Sequence, residues 1–156
     1  MDQGLIPGRY AKALYLVAKE KGNSDKLYAM MRRLSDAFAA EPLLNETLTN
    51  PFVKDSDKTG LVLSACDAGK ESSLLTDFLK LLEENRRMDM IRDIANAYQK
   101  IYRDDNNIYR VNVVSAVPLQ ADVEARLKKI ILSHLKGATM EYKSDVDPAL
   151  IGGFCR

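Results

Sequence analysis

The sequence predicts a mainly α-helical protein: a six-helix N-terminal bundle over residues 1–105, followed by a small, incomplete α/β C-terminal unit over residues 106–156. Three observations carry this reading. Apolar residues recur at helical spacing from the first turns to about Asp105. Glycine and proline, the residues that interrupt helices, number only 8 and 5. A period-two stretch rich in β-branched residues appears for the first time after Asp105.

The first helix is expected from Gly8 or Arg9 to Lys21, with Tyr10, Ala13, Leu14, Val17 and Ala18 on one stripe and Gly22 as its stop. Asn23 or Ser24 opens a second helix to about Ala40, striped by Leu27, Met30, Met31, Leu34 and Phe38. The Met30-Met31 pair reads as adaptable core filler. Pro42 suits the first turn of a short third helix holding Leu43, Leu44 and Leu48. Asn50-Pro51 ends it, because a residue before proline avoids the helical region. Asp55 or Ser56 is the expected cap of a fourth helix through Leu61, Val62, Ala65 and Cys66. Glu71, Ser72 and Ser73 open a fifth, whose Leu74, Leu75, Phe78, Leu79, Leu81 and Leu82 cover more than one side. Such a helix is buried on two sides or meets a partner. The sixth runs from about Met88 to Arg103, with Ile91, Ile94, Ala95, Tyr98, Ile101 and Tyr102 facing inward.

The run Asp104 to Asn107 breaks the helical pattern. The segment "IYRVNVVSAV" then alternates as a strand does, and Pro118 ends it. Leu119 to Lys136 is a seventh helix with Val123, Leu127, Ile130, Ile131 and Leu135 inward, closed by Gly137. "ATMEYKS" is a second strand. In "DVDPALIGGFCR", Asp147 caps a turn begun by Pro148, Leu150 and Ile151 point into the small unit, and Gly152-Gly153 redirect the chain into a third strand. That strand is only three residues long at Arg156, so the unit is expected to be cut short and weakly ordered.

Composition removes several function classes. A formal net charge of +1 gives no bulk attraction to nucleic acid. No run approaches the ~18 apolar residues of a membrane span, so no direct membrane insertion is expected. Two distant cysteines, Cys66 and Cys155, suit reduced thiols in a reducing compartment. His134 is the lone histidine and reads as a surface or boundary residue, offering neither a metal site nor a catalytic triad. No phosphate-cradling glycine motif occurs, and Gly152-Gly153 alone reads as a backbone device. The acidic pairs Glu83-Glu84 and Asp104-Asp105 and the basic pairs Arg32-Arg33 and Arg86-Arg87 read as solvated charge. No catalytic residue, cofactor or metal ligand is therefore assigned, and a protein that binds other proteins is the better class.

Four segments resemble one family. "GRYAKALYLVA", "LLEENRRM", "VNVVSAVPLQADVEARLKKII" and "DVDPALIGGF" resemble, in order and spacing, segments of the delta subunit of bacterial F-type ATP synthases, whose mitochondrial equivalent is the oligomycin-sensitivity-conferring protein. The last two together are specific, and the matches span nearly the whole chain. The resemblance implies a non-catalytic stator subunit at the cytoplasmic face of the bacterial plasma membrane, supporting proton-driven ATP synthesis. It implies a helical domain that grips alpha subunit N-termini on the catalytic head, and an α/β part that contacts b-type subunits of the peripheral stalk.

It also implies a groove for the alpha N-terminal helix between the first and fifth helices. In this chain those helices offer Tyr10, Ala13, Leu14 and Val17, and Phe78, Leu81 and Leu82. The plain alternative for each residue is packing within the bundle. A stand-alone helical adaptor is the rival function, and a small enzyme built on the strand–helix–strand unit is a second. The chain departs from the family at Gln120, where Ser or Thr is usual, and at Arg86, where Gly is common. Asn85 is accordingly expected to supply the turn there.

Overall fold

The structure, a computed structural model, describes residues 4–68 and 72–150. Among these are seven α-helices and two strands, in the order α1 (Leu5–Glu20), α2 (Ser24–Ala40), α3 (Pro42–Thr49), α4 (Asp55–Ala65), α5 (Ser73–Glu84), α6 (Ile91–Asp105), β1 (Ile108–Ser115), α7 (Ala121–His134) and β2 (Thr139–Val146). The protein is thus mainly helical, with a small parallel sheet near its C-terminus. The chain divides into two compact units, Met1–Tyr102 and Arg103–Arg156.

In the first unit the helix ends follow local chemistry. α1 begins at Leu5, ahead of the Gly8 or Arg9 expected, with Pro7 inside its first turn. Proline is tolerated there because the first N–H groups of a helix have no intrahelical acceptor. α1 stops at Gly22, whose φ is 69°. Gly22 N–H donates to Lys19 O (3.1 Å) and Asn23 N–H to Ala18 O (2.8 Å), satisfying carbonyls the helix would otherwise leave open. α4 starts on Asp55 itself, with Lys54 as the extended residue before it. α6 is preceded by a short 3-10 turn, Met88–Met90. The turn after α5 is made by Arg86 (φ 53°), not by Asn85, which ends the helix with φ −87° and donates from Nδ2 to Leu81 O.

The core is built from the predicted stripes. Leu14 and Ala18 of α1, Leu27, Met31, Leu34 and Phe38 of α2, Leu75, Leu79 and Leu82 of α5, and Ile91, Ile94 and Ala95 of α6 are buried. A tyrosine cluster joins three helices. Tyr15 lies edge-on to Tyr98 and Tyr102, at 5.7 and 6.4 Å between centroids, and Tyr28 stacks on Tyr102 at 4.1 Å. The Tyr98 hydroxyl donates to Ser24 O and the Tyr102 hydroxyl to an Asp25 carboxylate oxygen. Burial, then the neighbouring Tyr15, Tyr102 and Asp25, pushes the Tyr98 phenol above its ordinary range, so it stays neutral. Gln99 is buried although it is polar and lies outside the apolar stripe of α6. Its Nε2 donates to Met31 O (3.1 Å) and Ser35 Oγ (2.6 Å), tying α6 to α2. Of the α3 leucines only Leu48 is buried, and Leu43 is exposed.

In the second unit β1 and β2 run parallel, Ile108 opposite Thr139 through Ser115 opposite Val146, and α7 is the crossover between them. α7 is shorter than the expected Leu119–Lys136, and Lys136 and Gly137 both take positive φ beyond it. Its expected inward stripe divides. Leu127, Ile131 and Leu135 are half-buried, whereas Val123 and Ile130 are exposed. Asp147 does cap its turn: Oδ1 accepts from Ala149 N–H (3.0 Å) and its carbonyl from Leu150 N–H (3.1 Å). The expected roles of Glu71, Ile151, Gly152-Gly153, Cys155 and the third strand lie outside the described residues.

Candidate protein-docking groove

α1 and α5 present their apolar stripes to one another without closing completely. Between them lies a groove of about 240 Å³ lined by Tyr10, Ala13, Leu14, Val17, Leu74, Asp77, Phe78 and Leu81. Helical spacing explains the lining. Positions 10, 13, 14 and 17 share one face of α1, and 74, 77, 78 and 81 share one face of α5.

The walls differ in burial. Leu14 and Phe78 form the floor, at 3% and 7% exposure, while Val17 and Leu81 stand open at 39% and 45%. Tyr10 packs edge-on against Phe78, centroids 6.3 Å apart at 72°, the arrangement aromatic quadrupoles favour. Ala13 is exposed, so nothing larger than a methyl group fills that part of α1's surface. Leu82 is fully buried and does not line the groove; its place is in the core. Leu74 and Asp77 do line it, unassigned by sequence. Their spacing from Leu81, seven and four residues, is the signal that places them on the same face.

A larger hollow of about 410 Å³ is lined by Leu48, Thr49, Pro51, Asp55, Lys58, Arg86, Met88 and Asp89. Its Lys58 and Arg86 are balanced by Asp55 and Asp89, and buried Lys58 lies 3.8 Å from Asp55 Oδ1. No nucleophile–base pair lines it. Cys66 is buried, and desolvation, partly opposed by the Arg33 charge, pushes its thiol from 9.0 up to about 12. It is therefore a protonated, inert core residue at neutral pH. His134 is exposed at the end of α7, its Nδ1 2.8 Å from Ile130 O. Among the described residues no group of His, Cys, Asp or Glu could hold a metal ion, and no helix is long and apolar enough to cross a membrane.

An open apolar groove between two helices is a recurring way for one protein to recognise a helix of another. The chain matches the family model described as ATP synthase delta (OSCP) subunit over residues 6–155, and it belongs to that family. It is similar to the ATP synthase subunit delta of Bacteroides thetaiotaomicron, 36% identical over 155 residues that cover 99% of this chain and 83% of the relative. It is similar to the same subunit of Phocaeicola vulgatus (34%, covering 97% and 81%) and of Parabacteroides distasonis (36%, covering 99% and 84%). A chain in the cryo-EM structure of the Toxoplasma gondii mitochondrial ATP synthase hexamer shares the fold, with a TM-score of 0.75 at 22% identity, covering 92% of this chain and 79% of that one. The protein is therefore a non-catalytic subunit of an ATP synthase complex.

Proposed function

We propose that this chain is a stator joint. Its helical part, residues 1–105, works as a six-helix bundle that sits on the catalytic head and holds an alpha subunit N-terminal helix. Residues 106–156 meet b-type subunits of the peripheral stalk, on the cytoplasmic side of the bacterial plasma membrane. The rotor turns against the head, and a joint of this kind resists that torque by contact alone, with no chemistry of its own.

The observation that carries this reading is the apolar groove between α1 and α5 in a chain of this family. Tyr10, Ala13, Leu14, Val17, Phe78 and Leu81 are its docking residues: Ala13 admits close approach, and the Tyr10–Phe78 pair supplies aromatic anchors. Nanomolar holding corresponds to about 12 kcal/mol, within reach of a well-anchored interface of ~1,600 Å².

Tyr10→Asp and Ala13→Glu are expected to weaken binding of an alpha N-terminal peptide by at least about tenfold, because each leaves a charge in a dry apolar contact. Ala13 is exposed, so its replacement leaves the helical far-UV signal intact. Unchanged peptide affinity in both variants, read by fluorescence anisotropy, removes the groove from the interface. Co-purification separates the stator from a free-standing adaptor, since only the stator brings down alpha and b-type subunits.

A further inference from the structure

We propose that Asp77 is the specificity residue of this groove: it takes a cationic side chain of the docked helix and so fixes that helix's register. The inference rests on the groove reading above and deepens it. Asp77 is the only Asp, Glu, Lys, Arg or His among the described residues that line the groove. It stands midway along the α5 wall, three residues after Leu74, one before Phe78 and four before Leu81. The facing wall of α1 offers Tyr10, Ala13, Leu14 and Val17, none of which carries a charge at neutral pH. No described residue makes a hydrogen bond or ion pair with the Asp77 carboxylate.

In the empty groove water solvates this carboxylate. A docked apolar helix displaces part of that water and gives nothing back unless it brings a donor of its own. A Lys or Arg beside the helix's apolar stripe, level with Asp77, restores the lost solvation. An acidic residue there meets a like charge across a partly dried contact. The apolar walls supply affinity for any amphipathic helix, and Asp77 selects the helix that has a cation at that level.

Two synthetic amphipathic peptides of about 18 residues test this, sharing one Leu/Ile stripe and differing only in Lys or Glu at the flanking positions. Binding to the full chain is read by fluorescence anisotropy at low and high salt. The Lys peptide is expected to bind roughly three- to tenfold more tightly at low salt, with the gap narrowing as salt rises. Asp77→Asn should abolish the preference and Asp77→Lys should reverse it. Equal binding of both peptides to the unaltered chain, or a preference that survives Asp77→Lys, overturns the inference while leaving the groove standing. Binding of neither peptide, or binding that Ala13→Glu leaves untouched, sinks the groove reading and this inference with it.

Discussion

Arg86 holds a backbone conformation, φ 53°, that costs an L-residue roughly 1 kcal/mol or more. It does so because the end of α5 needs it. Arg86 N–H donates to Glu83 O (3.0 Å) and Arg87 N–H to Leu82 O (2.8 Å), the same pair of bonds that closes α1 around Gly22. Arg86→Gly is therefore expected to raise unfolding free energy by about 0.5–1 kcal/mol, and Gly22→Ala to lower it by about 1 kcal/mol, in urea titrations followed by circular dichroism. A Cβ at Gly22 would meet nothing within 4 Å, so that loss is backbone strain alone. A destabilised Arg86→Gly protein would show that the guanidinium contributes more than the strain costs. Gly22 was legible in the sequence because glycine announces a left-handed position. Arg86 was not: nothing in its side chain marks it, and neighbouring Asn85, a residue that tolerates the left-handed region, drew the assignment one position early.

Elements buried on several sides could be read from periodicity, and elements with a single neighbour could not. The stripes of α2 and α6 predict their core faces because other helices surround them. The apolar breadth of α5 points to burial on two sides or to a partner, whereas the pairing of α1 with α5 as groove walls is implied by the family resemblance alone. α7 shows the limit. Its apolar residues suggest one face, but the only strands among the described residues of its unit are β1 and β2. Leu127, Ile131 and Leu135 are half-buried together with Glu124 and Lys128, and the Lys128 ammonium lies 4.5 Å from the Tyr142 ring. A long charged stem thus covers surface that apolar residues were expected to fill. The start of α7 is also weak, because Gln120 occupies the cap position in extended conformation without a side-chain bond to the helix. Ser at that position has the reach to accept from the first-turn N–H groups. Gln120→Ser is expected to stabilise this unit by about 0.5–1 kcal/mol, seen as slower amide exchange in α7. Unchanged exchange would mean that this terminus is already satisfied.

Across the whole molecule, burial is distributed unequally between the two units. Every buried residue among those described lies between Pro7 and Tyr102, and no described residue from Arg103 onward is buried. The second unit instead leaves Tyr109, Val114, Val117, Ile130, Leu132 and Val146 exposed, and the buried Tyr142 hydroxyl has no partner among the described residues, at a cost of about 1–3 kcal/mol. Hydrophobic stabilisation scales with the apolar area removed from water, and each ordered residue of β1, α7 and β2 still carries its full entropic cost. The two units should therefore open separately. Native-state hydrogen exchange is expected to find the slowest amides in α5 and α6, exchanging only through global unfolding. Those of β1, α7 and β2 should exchange at least about tenfold faster, through an opening with a smaller denaturant dependence. Docking of a stalk subunit on the second unit would slow its exchange by mass action and leave α5 and α6 unchanged. Equal protection throughout residues 5–146 in the isolated chain would refute the unequal division of stability, whatever partner the second unit meets.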